Sequence, residues 1–125
     1  MTTILVVDDD QDFVSMSRMV LERSGYTVVS ASSPSEGKPM IDRYRPSLLL
    51  LDVMMESPDD GIVMAQALRR EGNKIPILML TSLPKVTGMG LAKDDEMVPV
   101  DELVEKPVAP QRLLDLVSQL LGGKR

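Results

Sequence analysis

A chain of 125 residues suits one domain with a core of its own, and 43% hydrophobic against 26% charged residues is the balance of a globular protein rather than a disordered one. Cysteine and histidine are both absent, which excludes disulfides, thiolate metal sites and the commonest transition-metal ligands, so any metal here is held by oxygen. A formal charge of -5 with no run of Lys or Arg offers no basic surface to displace counterions, and direct nucleic-acid binding by this domain is not expected.

The first strand-length apolar run, Ile4 to Val7, is too short for a signal-peptide core, and no apolar run approaches bilayer length, so the expectation is a cytoplasmic domain without membrane association. A helix should start near Asp10, with Asp10 and Asp12 at its positive end and Phe13, Met16 and Val20 at helical spacing, and stop at Gly25. Thr27 to Ala31 reads as a second strand. Ser33-Pro34-Ser35-Glu36 is a capping box with proline at the first helical position, yet Pro39 falls where an interior proline costs about 3 kcal/mol, which predicts a short, kinked or restarted helix. Leu48 to Leu51 and Ile75 to Leu80 follow as strands, and Leu48 to Leu51 and Ile77 to Leu80 lack polar alternation, as expected where helices cover both faces of a parallel sheet. After Leu80 a proline and two glycines within Thr81 to Gly90 weaken any regular helix. Val100 to Val104 is the weakest strand. Pro110 suits a first helical turn, Leu113, Leu116, Val117, Leu120 and Leu121 form an apolar stripe, and Gly122 ends it. The pattern is alternating β and α in a domain over 1–121, with 122–125 as a tail or the start of a linker. The ten methionines read as gap-filling core residues.

Polar residues stand at the C-terminal ends of these strands: Asp8 and Asp9 after the first, Asp52 after the third, Thr81 after the fourth and Lys106 after the fifth. In open parallel sheets, ligands bind outside those ends, where the strand order reverses. With the order 2-1-3-4-5, Asp8, Asp9 and Asp52 converge on one pocket flanked by Thr81 and Lys106. Two like charges about 4 Å apart repel by roughly 4 kcal/mol at an effective dielectric of 20, so three carboxylates together imply a cation. Oxygen ligands suit Mg²⁺, with Mn²⁺ the alternative, and the pocket then fits phosphoryl transfer to an aspartate nucleophile. Asp52, a single acid after a fully apolar strand, is the best candidate; Asp8 and Asp9 come as the pair expected of metal ligands. Taken singly, Asp8 to Asp10 can merely cap a helix, Thr81 start a turn and Lys106 stand solvated before proline. Jointly, four strand ends would have to carry these residues by accident.

The motifs Ile4-Leu5-Val6-Val7-Asp8-Asp9-Asp10, Leu50-Leu51-Asp52-Val53-Met54-Met55, Thr81-Ser82 and Glu105-Lys106-Pro107 together resemble the receiver domains of bacterial two-component response regulators, including the chemotaxis regulators, over essentially the whole chain. The resemblance implies a flavodoxin-like (βα)₅ fold, a doubly wound three-layer α/β/α arrangement around a five-stranded parallel sheet. It implies that Asp9 and Asp52 bind Mg²⁺ with the backbone carbonyl of Met54, that Asp8 assists through water, and that Asp52 takes a phosphoryl group from a sensor histidine kinase or phosphotransfer protein. The residue matching Thr81 then turns toward the phosphate, Lys106 pairs with it, and Lys106-Pro107 is cis. Signalling passes to an output domain or protein, so the domain is a switch rather than a turnover enzyme, with at most slow self-dephosphorylation. Family members also dimerise through their last helices on phosphorylation, which leaves a homodimer open here.

Three departures stand out. Glu56 replaces the proline usual two residues after the metal-binding methionine, in a loop one residue longer than usual, at the expected pocket mouth. Leu103 replaces the usual aromatic switch residue. The span from Thr81 to Lys106 is long and rich in helix breakers. These motivate an alternative reading as a pseudo-receiver interaction domain. A haloacid dehalogenase-type phosphatase is a further alternative, because Asp8-x-Asp10 after a strand matches that family's nucleophile motif, but it leaves Asp52 without a reason. No glycine-rich loop follows the first strand, which disfavours a dinucleotide-binding domain.

Overall fold

Five short strands, the three central ones apolar along most of their length, line up in parallel in the order β2-β1-β3-β4-β5. They are β1 (Thr3–Val7), β2 (Thr27–Ala31), β3 (Leu48–Asp52), β4 (Ile77–Thr81) and β5 (Glu102–Glu105), and they alternate with α1 (Gln11–Arg23), α2 (Pro34–Tyr44), α3 (Asp60–Arg70) and α4 (Pro110–Leu120). The structure is a computed structural model that describes residues 2–53, 60–81 and 100–122. The expected loop after Val53, with Met54 and Glu56, and the irregular segment after Thr81 lie outside the described residues.

Side chains of a strand point alternately to opposite faces, so each central strand feeds two cores. Leu5, Val7, Leu49, Leu51, Ile77 and Met79 form one with Ile41 of α2 and Met64, Ala65 and Leu68 of α3. Ile4, Val6, Leu48, Leu50, Leu78 and Leu80 form the other with Phe13, Val14 and Leu21 of α1 and Leu113, Leu116 and Val117 of α4. This is the three-layer arrangement, and it explains why β3 and β4 have no polar position before their last residue: each is buried throughout.

The helix ends follow the local chemistry. Asp10 caps α1 by accepting from the backbone N–H of Asp12 (3.0 Å) and Phe13 (3.2 Å). Gly25, at φ +96°, closes it with paired bonds from Gly25 N–H to Glu22 O and Tyr26 N–H to Leu21 O. Ser33 caps α2 through its hydroxyl, which accepts from Glu36 N–H at 3.3 Å, while the Glu36 carboxylate accepts from both the backbone and the hydroxyl of Ser32. Those bonds hold the Glu36 pKa below its ordinary value. Contrary to the expectation from Pro39, α2 runs unbroken for 11 residues. Pro39 sits in the second turn, so the bond it forfeits is the one to the Ser35 carbonyl, and its ring lies on the exposed side of the helix. Arg45, in the left-handed region at φ 48°, terminates the helix with a bond from its N–H back to Ile41 O.

Two strands begin later than their apolar runs. Pro76 delays β4, giving its carbonyl to Leu49 N–H instead. β5 begins at Glu102 because Asp101 serves as a bracket: its N–H donates to Ile77 O and its carboxylate accepts from Ile77 N–H and pairs with Arg69 at 3.1 Å. Of the methionines, Met64 and Met79 are core residues, whereas Met19 is exposed. No helix among the described residues is long and apolar enough to cross a membrane.

Candidate functional site

Val7 is in register with Leu51, so Asp8 and Asp52 leave neighbouring strands side by side. The ladder continues past the strand ends, with Asp8 N–H donating to Ala31 O (3.0 Å), Val53 N–H to Leu80 O (2.8 Å) and Lys106 N–H to Thr81 O (2.7 Å). These bonds set the height at which each functional side chain stands. Val6, Leu50 and Val104, two residues before Asp8, Asp52 and Lys106, all contribute to the core under α1 and α4. Strand alternation therefore directs the two acids and the lysine to the same side.

The result is a compact charged cluster. Carboxylate oxygens of Asp8, Asp9 and Asp52 all lie within 4.8 Å of one another. Asp8 and Asp52 are buried, and Asp9 is exposed at the rim. Lys106 Nζ donates to Asp8 Oδ2 at 2.8 Å and stands 3.8 Å from Asp52 Oδ1. The other Asp8 oxygen accepts from the Asp10 backbone N–H at 2.9 Å. Both oxygens of Asp8 are thus engaged, which leaves Asp9 and Asp52 as the carboxylates better placed to receive a cation. Thr81 is buried at the end of β4, paired in register with Glu105, next to the lysine. The Lys106-Pro107 bond is cis, as the resemblance implied. Met54 is the one expected site residue outside the described residues.

Burial, followed by the negative charge of Asp8, pushes the Asp52 carboxyl from an ordinary 3.8 up to about 7, with Lys106 pulling the other way. One ammonium does not balance three acids, and the remaining demand for positive charge is what a small divalent ion supplies. Carboxylate oxygens gathered within 4.8 Å of one another are close enough for one small oxygen-ligated divalent ion to be held among them. The donor set, all oxygen and partly open at Asp9, fits that ion.

Two contributors were not read from the sequence. Gly61, in the first turn of α3, donates its N–H to Val53 O at 2.7 Å, and a Cβ there would meet the Asp52 carbonyl oxygen at 2.0 Å. Only glycine lets α3 close against the backbone that carries Asp52. The signal available in the sequence was a glycine at the start of the helix that follows β3. Phe13 presents its ring to Lys106 Nζ at 4.6 Å from the centroid. In the sequence it was one member of an apolar helical stripe. Leu103, where an aromatic residue was expected, is partly buried against the core shared with α2 and α3.

Comparison with known proteins agrees with this fold. The response regulator receiver domain profile matches residues 4–118. The alkaline phosphatase synthesis transcriptional regulatory protein PhoP of Bacillus subtilis is 38% identical over 122 residues, covering 94% of this chain and 48% of that protein. Response regulator MprA of Mycobacterium leprae is 36% identical over 118 residues, covering 94% of this chain and 50% of that one. The chain spans about half the length of these curated relatives. In three dimensions, the CheY-like response regulator receiver domain protein of Methanospirillum hungatei superposes with a TM-score of 0.82 at 24% identity, over 98% of this chain and 94% of that chain, which shows the shared fold. The chain belongs to the response regulator receiver domain family of two-component signalling proteins.

Proposed function

We propose that Asp52 accepts a phosphoryl group from a sensor histidine kinase or phosphotransfer protein, and that the acyl phosphate formed biases the fold toward a state read by an output domain or partner protein. The observation that carries this reading is the convergence of Asp8, Asp9, Asp52 and Lys106 within one pocket at the strand ends. In the reaction an Asp52 carboxylate oxygen attacks phosphorus, the bond from phosphorus to the donor's histidine nitrogen breaks, and the imidazole leaves. The carboxylate must be ionised to attack, and Lys106 favours that form. Asp9, Asp52 and the carbonyl of Met54 would hold Mg²⁺, with Asp8 assisting from its fixed position. Bound there, the ion neutralises the acidic cluster and the phosphoryl oxygens. Lys106 supplies the second positive group, and Thr81 offers a hydroxyl for the phosphoryl group. The added charge of about -1.5 to -2 is the switching signal. Asp8 is a poor nucleophile here, since both of its oxygens are engaged, and this argues against the dehalogenase-type reading. The domain then acts as a switch in the cytoplasm, without turning over a substrate of its own.

Intact-mass spectrometry after incubation with acetyl phosphate tests the proposal. The expected result is a gain of one phosphoryl group with Mg²⁺ and none without metal. No gain in either condition would leave an interaction domain that phosphorylation does not switch.

A further inference from the structure

Lysine carries a strongly hydrated point charge on a flexible four-carbon stem, so placing its ammonium at one spot requires partners on several sides. Asp8 supplies one at 2.8 Å, and Asp52 lies at 3.8 Å. The third is Phe13, the only phenylalanine in the chain, whose ring centroid is 4.6 Å from Lys106 Nζ, inside the roughly 6 Å range of a cation–π contact. The ring is itself fixed. Asp10 accepts from the Phe13 N–H at 3.2 Å while donating its own N–H to Asp8 at 2.9 Å, so one short loop orients both the acid and the ring that meet the lysine. Phe13 and Lys106 are both largely shielded from solvent, the lysine side chain being 13% exposed, and an aromatic face in place of water on that side leaves the charge directed at the carboxylates.

We infer that Phe13 is a positioning residue for phosphoryl uptake: its ring face and Asp8 together hold the Lys106 ammonium beside Asp52. This rests on Asp52 being the phosphoacceptor. An aliphatic side chain in its place would fill the same core volume without attracting the charge.

Two readouts on the full chain separate positioning from packing. By NMR of the metal-free protein, the Lys106 side-chain methylene protons are shifted upfield by the ring in the wild type and return to ordinary positions in Phe13→Leu. In kinetics with acetyl phosphate and saturating Mg²⁺, replacing Phe13 by mono-, di- and trifluorophenylalanine, which drain the ring face with little change in size, lowers the uptake rate stepwise to about fivefold below wild type. Phe13→Leu shows a similar loss and Phe13→Tyr retains the rate, with thermal midpoints of the fluorinated set unchanged. A flat rate across the fluorinated series while uptake proceeds would overturn the inference and make Phe13 a packing residue, as would the absence of any ring shift at Lys106. If the wild type takes up no phosphoryl group, it is the reading of Asp52 that fails, and the NMR readout still decides whether Phe13 holds Lys106.

Discussion

Asp8 and Asp52 are two acids at the ends of neighbouring strands, and what distinguishes them is the use of their oxygens. Asp8 is committed to Asp10 N–H and Lys106, whereas Asp52 is buried, raised in pKa and 3.8 Å from the Lys106 ammonium, which suits the cation and the phosphoryl group proposed for it. The acids, Thr81 and Lys106 were legible in the sequence because each follows an apolar run, and strand ends in a parallel sheet are a defined place. Phe13 and Gly61 were not, since their roles depend on what another element brings within reach. Gly61 gives a sharp prediction. Gly61→Ala forces a Cβ into the Asp52 carbonyl, and because that contact is backbone it cannot rotate away. Urea unfolding should show a loss of about 1–3 kcal/mol, with slower phosphoryl uptake as the Asp52 backbone shifts; a variant as stable as wild type would mean that α3 starts differently.

The helices and strands were legible in proportion to how local their signals are. The capping of α1 by Asp10 and its closure at Gly25 depend on residues within a few positions, as does the apolar stripe of α4. β5 was weak because its pattern rests on little more than Leu103 and Val104, and its start is set by Asp101 and Arg69, an ion pair formed across the fold. Pro39 misled because interior proline was weighed at its full cost, whereas in the second turn, on an exposed face, it removes one hydrogen bond and leaves the rest of α2 intact. Pro39→Ala restores that bond and should raise stability by about 1 kcal/mol, the interior penalty being partly offset by the greater freedom of the unfolded chain. Chemical denaturation checks it, and a destabilised variant would show that the proline ring contributes to holding α2.

On the scale of the whole molecule, the acidic pocket links folding to pH. The folded protein keeps the Asp52 proton up to about pH 7, while the unfolded chain releases it near 3.8, so between those values the folded state binds more protons. The contribution of Asp52 to stability is complete below about 3.8 and declines as pH rises toward 7. Thermal melts of metal-free wild type and Asp52→Asn should therefore diverge over this window, with the variant progressively the more stable at neutral pH. Parallel curves would mean that Asp52 ionises normally. The two-sided core explains why such a cost is tolerated: six buried residues of β1, β3 and β4 on each face fix the strand ends whether or not the acids at their tips repel.

The central claim is that Asp52, and no other acid of the cluster, takes the phosphoryl group. Reduction of the phosphorylated protein with borohydride, which converts an aspartyl phosphate to the alcohol, followed by peptide sequencing in a mass spectrometer, locates the modified residue. The account predicts the reduced residue at position 52 alone, and none in Asp52→Asn. Modification at Asp8 or Asp9, or undiminished labelling of Asp52→Asn, would contradict it.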